Sequence, residues 1–213
     1  CDLACRHCGS RAGGARPDEL TTEEACDLVR QMAELGVREV ALIGGEVYLH
    51  DGWLDVVREV RRVGMQCTIV TGGRGITAER ARAAKAAGVQ SMAVSIDGNE
   101  RTHDRLRGFS GSYAAARKAL EHARDAGMQV AVNTQINRLS MLDLPSIFDV
   151  LVTSKAHGWQ VQLTVPVGRA ADEPDVILQP YDLLEVFPVL AALKERCIAA
   201  GIKMMPGNNV GYY

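Results

Sequence analysis

Three cysteines fall within the first eight residues, CDLACRHC, at Cys1, Cys5 and Cys8; the other three, Cys26, Cys67 and Cys197, are scattered through apolar segments. The scattered three read as buried thiols that pack as small hydrophobes. Three thiols so close together in a loop ask for a metal. A structural zinc site takes four ligands, commonly as two spaced pairs. This chain has no second pair, and His7, adjacent to Cys8, is a poor fourth ligand because neighbouring residues seldom reach one ion. A [4Fe-4S] cluster draws thiolates from a tight loop and fits better. Three thiolates for four irons leave one iron open, and an open position is what separates a catalytic metal site from a structural one.

Composition narrows the classes. The 213 residues, 47% hydrophobic and 23% charged, suit one globular domain with a sizeable core. A net charge of -2 gives no electrostatic footprint for nucleic acid, and no apolar run is long enough to predict a membrane span. Few cysteines and no signal-peptide pattern favour a reducing, cytoplasmic setting. The chain opens on Cys1 rather than Met and is expected to be a piece of a longer protein.

The elements that would position the thiols are marked by a recurrent stop signal. Helical, charged segments end in Gly and an apolar residue follows, at Gly36, Gly64, Gly88, Gly127, Gly158 and Gly201. Strands are predicted over 37–44, 65–72, 89–97, 128–136 and 159–167, as near-continuous apolar runs covered on both faces. Helices are predicted over 22–35, capped by Thr21 or Thr22, and over 52–63, 77–87, 112–126, 143–156 and 181–200. Alternating strands and helices predict an α/β fold with a parallel sheet, either a (β/α) barrel or a doubly wound open sheet, with a first strand expected upstream of Cys1. Ligands in such sheets bind at the C-terminal strand ends. Those ends read Gly44-Gly45-Glu46, Thr71-Gly72-Gly73, Ser95-Ile96-Asp97-Gly98, Asn133-Thr134-Gln135 and Thr164-Val165-Pro166, which predicts one polar rim. Gly72-Gly73-Arg74-Gly75 lacks the spacing of a phosphate loop, and His50, His103, His122 and His157 read as solvated.

CDLACRHC has the C-x3-C-x2-C form of the radical S-adenosylmethionine (radical SAM) superfamily, and Gly44-Gly45-Glu46 at the end of the next strand resembles that family's GGE motif. Thr71, SIDG at 95–98, HDRLRG at 103–108 and NTQINR at 133–138 extend the resemblance along the chain. It implies a partial (β/α)6 TIM-type barrel in which Cys1, Cys5 and Cys8 ligate a [4Fe-4S] cluster and SAM chelates the open iron. An electron donor such as flavodoxin or ferredoxin would then allow cleavage of SAM to a 5′-deoxyadenosyl radical that abstracts a substrate hydrogen. The resemblance implies that His7 packs near the adenine and that the Gly44–Gly45 backbone and Glu46 hold the amino group. It further implies that Thr71, Ser95 and Asn133 serve the carboxylate or ribose, that Arg107 pairs with the carboxylate, and that Asp97 faces the substrate. Where the family often has TNG this chain has TGG, which puts the contact made by that Asn in doubt.

SIDG, HDRLRG and NTQINR are similar to the branch that modifies peptides and proteins, often with a C-terminal SPASM extension carrying further clusters, and PGNNVGYY at 206–213 resembles the approach to one. A peptide or protein substrate is therefore expected. The alternatives are the same chemistry on a small molecule, or an iron-sulfur electron-transfer module that does not use SAM.

Overall fold

In a computed structural model of the chain, residues 1–207, 209 and 210 are described. Six strands form one parallel sheet in sequential order: β1 (Glu39–Leu42), β2 (Gln66–Thr71), β3 (Ser91–Ser95), β4 (Gln129–Ile136), β5 (Gly158–Leu163) and β6 (Lys203–Pro206). β1 and β6 are the two edges and do not pair with each other, so the sheet curls into a half-barrel. The helices are α1 (Thr22–Glu34), α2 (Trp53–Arg62), α3 (Ala78–Ala87), α4 (Glu100–Arg107), α5 (Ser112–Asp125), α6 (Leu144–Ser154) and α7 (Leu183–Ala199). None is long and apolar enough to cross a membrane.

Five of the six stop signals fall where expected; Gly158 instead opens β5, and Lys155, at φ +54°, takes the left-handed position after α6. Gly36, Gly64, Gly88, Gly127 and Gly201 all take positive φ just past a helix, the conformation that glycine adopts without steric cost. Thr21 caps α1 through a capping box: its hydroxyl accepts from the Glu24 N–H while the Glu24 carboxylate accepts from the Thr21 N–H. Two elements go beyond the predicted set. β6 follows Gly201 and adds a sixth strand beside β5. α4 holds HDRLRG, with the Asn99 side chain accepting from Thr102 N–H at its start and Gly108 in the left-handed conformation at its end.

The strands are covered on one face only, which corrects the expectation of two apolar faces. Cys67, Ile69, Met92, Val94, Val130, Val132, Trp159 and Val161 point into a core built with α2, α3, α5, α6 and α7. The alternate residues, among them Thr68, Ser91, Ala93, Ala131, Asn133 and Gln160, line the lumen. The period-2 alternation sorts large apolar side chains outward to the helices and small or polar ones inward. Within the core the Trp159 indole N–H donates to Thr134 Oγ1 at 2.8 Å while that hydroxyl donates to the Ile96 carbonyl at 2.7 Å, so a fully buried polar edge is satisfied.

The cysteine loop lies over the C-terminal ends of the strands and is strapped down by the segment after β5. Arg169 N–H donates to the Cys8 carbonyl at 2.8 Å, its Nε to the Cys5 carbonyl at 2.8 Å and its Nη1 to the Ala12 carbonyl at 3.1 Å. Arg6 reaches Glu173 and Asp175, and Arg11 reaches Asp172, closing the strap with ion pairs. Gly168 makes the approach possible: with φ +62°, a Cβ there would meet the Cys8 and Gly9 carbonyl oxygens at 2.3 Å. Gly168→Ala is expected to cost at least the ~2 kcal/mol of a left-handed alanine, a fall of about 4–8 °C in Tm, and to speed alkylation of Cys8 by iodoacetamide. Gly201→Ala, at φ +70° with nothing within 4 Å, should lose stability without changing alkylation.

Candidate functional site

All twelve residues given a site role from the sequence, Asp97 included, meet around one cavity of about 450 Å³ at the C-terminal mouth of the half-barrel. Cys1, Cys5, His7 and Cys8 form one wall, Gly44, Gly45, Glu46 and Thr71 the next, and Ser95, Asp97, Arg107 and Asn133 the remainder. A second lumen cavity of about 630 Å³ lies toward the other end of the strands, away from the thiols, and shares Ala41, Val70, Asn133 and Gln160 with the first.

The three thiols are free, unbridged to each other or to other cysteines. Among the described residues no three His, Cys, Asp or Glu side chains converge as ligands around a single ion. Burial pushes the Cys5 thiol above its ordinary pKa, opposed by Arg107. At Cys8 burial acts in the same sense, but hydrogen bonds from the Ser10 hydroxyl and from the Ala12 and Ser10 backbone outweigh it and hold the thiol below its ordinary value.

The GGE segment is shaped by close approach. Gly44 sits at φ +139° with nothing within 4 Å of where a Cβ would stand, leaving open space beside its backbone. At Gly45 a Cβ would meet the Cys1 Cβ at 2.8 Å. Glu46 is buried, and each oxygen takes one bond from the chain: Thr71 Oγ1–H donates to Oε1 and Gly72 N–H to Oε2 at 2.9 Å. Burial nevertheless pushes its carboxyl up to about 7. Tyr48 ties the segment together, its hydroxyl donating to Asp2 at 2.7 Å and accepting from Gly75 N–H at 2.9 Å. The Gly of TGG is explained here too: a Cβ at Gly72 would meet Leu3 Cδ1 at 2.8 Å and Glu46 Oε2 at 3.2 Å, so a larger residue would displace the carboxylate.

At the far wall the structure shows what Arg107, Asp97 and His103 touch, and it corrects the reading of His103 as solvated. Arg107, expected to pair with a ligand carboxylate, has found one within the chain: its Nη2 lies 2.6 Å from Asp97 Oδ2, and its Nη1 donates to Cys5 Sγ at 3.7 Å. Asp97, expected to face the substrate, is fully buried, with Oδ1 accepting from Gln135 N–H at 3.0 Å and His7 Nε2 lying 3.2 Å from Oδ2. Burial alone would push this carboxyl up; the Arg107 guanidinium and His7 outweigh it and hold it well below the usual carboxylate range. The two contacts to Oδ2 lack the alignment of hydrogen bonds. His103, expected in solvent, is fully buried, its Nδ1 accepting from Asp97 N–H at 3.1 Å. Burial and Arg107 push its pKa down to about 4, so it is neutral.

Sequence reasoning missed Arg169, which lines the same cavity and whose signal was only a charged residue beside a glycine in a loop. Thr71 is placed as expected, but its hydroxyl is engaged with Glu46. Ser95 and Asn133 are half-buried at adjacent positions of β3 and β4 and face the cavity.

Residues 1–139 match the model of the Radical SAM superfamily. The chain belongs to that superfamily, which works with SAM and a [4Fe-4S] cluster. It is 31% identical over 188 residues, 87% of this chain and 51% of the relative, to an AdoMet-dependent heme synthase of Nitratidesulfovibrio vulgaris. It is 26% identical over 172 residues, 81% of this chain and 42% of the relative, to the sporulation killing factor maturation protein SkfB of Bacillus subtilis. In fold it is similar to Streptococcus suis SuiB bound to S-adenosylmethionine, with TM-score 0.81 and 16% identity over 100% of this chain and 48% of SuiB. The chain spans about half the length of the curated relatives it matches.

The buried Glu46 makes stability depend on pH. Its folded pKa of about 7 lies above the ordinary 4.5, so the folded state holds this proton more firmly and loses stability as pH rises from 4.5 to 7, then levels. Glu46→Gln removes the titration. The Tm of the variant minus that of the native chain, followed by circular dichroism, should therefore rise between about pH 5 and pH 8; a flat difference contradicts the raised pKa.

Proposed function

We propose that Cys1, Cys5 and Cys8 hold three corners of a [4Fe-4S] cluster and that SAM fills the rest of the cavity, making the chain the catalytic core of a hydrogen-abstracting enzyme. The observation that carries this reading is the convergence of three free thiols with the GGE backbone and the polar strand ends around one cavity. When bound, the cluster supplies the single electron that splits the sulfonium of SAM into methionine and a 5′-deoxyadenosyl radical, which no side chain can do.

The chain's own residues orient and exclude. Gly44 leaves its backbone free for the amino group of SAM, Gly45 lets the segment pass close to Cys1, and Glu46 offers the amino group a remaining lone pair on each carboxylate oxygen. Thr71 fixes Glu46 rather than touching SAM itself. Ser95 and Asn133 present hydroxyl and amide groups suited to the carboxylate or ribose. His7, packed against Asp97, offers a ring edge to the adenine. Arg169 and its acidic neighbours hold the thiol loop over the cavity and shield its outer side.

For the substrate, a peptide or protein is the reading favoured by the SIDG, HDRLRG and NTQINR segments and by relatives named as a killing-factor maturation protein and as PqqA peptide cyclases. A C-terminal extension with further clusters and a flavodoxin- or ferredoxin-type donor belong to the same proposal. A second reading, a small tetrapyrrole, draws on the 31% identity to a heme synthase over 87% of this chain.

The test is anaerobic reconstitution of the full-length protein with iron and sulfide, incubation with SAM and dithionite, and measurement of 5′-deoxyadenosine. The native protein should form it and Cys5→Ala should fall to background; undiminished yield in Cys5→Ala, or no yield from cluster-loaded native protein, overturns the reading. Stimulation by a candidate precursor peptide but not by iron-coproporphyrin supports the peptide reading, and the reverse supports the tetrapyrrole.

A further inference from the structure

One ligand thiol differs from the others in its surroundings. Cys5 is buried while Cys1 and Cys8 are half-buried, and Cys5 alone lies against a guanidinium, that of Arg107 at 3.7 Å. Arg107 is itself buried, and its other terminal nitrogen lies 2.6 Å from Asp97, which has no access to water. The other titratable groups facing this pair are His7, 3.2 Å from Asp97, and neutral His103, whose Nδ1 is engaged by the Asp97 backbone. A cation in contact with the sulfur and an anion paired to that cation thus stand beside Cys5, both buried.

We propose that the Asp97–Arg107 pair sets the reduction potential of the cluster through Cys5. This rests on the proposal that Cys5 is a cluster ligand. Potentials of iron-sulfur clusters respond to nearby charge and to hydrogen bonds at the ligand sulfurs. One-electron reduction from the 2+ to the 1+ state adds negative charge, which a guanidinium at Cys5 Sγ stabilises. Asp97 opposes it, and more weakly, since its charge acts on the Cys5 thiol less than that of Arg107 does. Arg107 acts through Cys5 and is a positioning residue, not a catalytic one. The pair lets the chain accept an electron from a weaker reductant while leaving less driving force for cleavage of SAM.

The two charges make predictions of opposite sign, which a role in packing alone does not. In a dithionite titration of the reconstituted full-length protein without SAM, followed by electron paramagnetic resonance, Arg107→Met should shift the midpoint to more negative values. Asp97→Asn, which keeps Arg107 and frees its charge, should shift it to more positive values, and the double variant should fall between them. Iron content and Tm confirm that each variant is loaded and folded. Should Arg107→Met take up no cluster, Asp97→Asn decides alone: an unmoved or lowered midpoint overturns the proposal, as do shifts of the same sign in both variants. Failure of the native protein to show a [4Fe-4S] signal would overturn the site reading instead, and so is distinguishable.

Discussion

A carboxylate shut away from water, Asp97, joins the parts of this molecule that do chemistry. An unpaired charge in such a place is costly enough that its partners are obligatory, and each partner comes from a different element: Arg107 from α4, His7 from the cysteine loop and a backbone N–H from β4. The loop is therefore located relative to the sheet by electrostatics from within and by the Arg169 strap from without. Backbone contact reinforces the same junction. Arg6 N–H donates to the Leu106 carbonyl at 2.8 Å, and Gly108 lets the loop pass so near that a Cβ would meet the Ala4 carbonyl at 2.9 Å.

The division of labour between the two faces of each strand follows from that geometry. The outer face carries the large apolar residues and meets the helices, where burial stabilises the fold. The inner face is freed from packing and can carry Thr68, Ser91, Asn133, Gln135, Gln160 and Gln162, a lining unlike the filled interior of a closed TIM barrel. Stability and chemistry are thereby assigned to opposite sides of the same backbone.

Most of the glycine stops and the Thr21–Glu24 box were legible because local backbone rules alone decide them, and the parallel sheet followed from the alternation of strands and helices. The rim was legible because parallel topology brings strand ends together whatever the intervening sequence. What escaped depended on distance in the chain. The two-faced character of the strands was hidden in MQVAVNTQI, where the small Ala131 on the lumen side looks as apolar as the core valines. Arg107 and Asp97 sit ten positions apart, and only the short helix α4, eight residues between Asn99 and Gly108, turns one toward the other. Arg169 is 164 positions from the Cys5 carbonyl it holds, a separation over which no local pattern speaks.

The inward-facing strand residues carry a consequence for how the enzyme must operate. Amides and hydroxyls in a trough attract solvent. On the proposed function, a carbon radical made at the thiol end of that trough needs a guest that displaces the solvent and fits closely enough to be its nearest source of hydrogen. Fidelity would then reside partly in the guest's shape: one that seats poorly would expose the radical to quenching and waste a molecule of SAM.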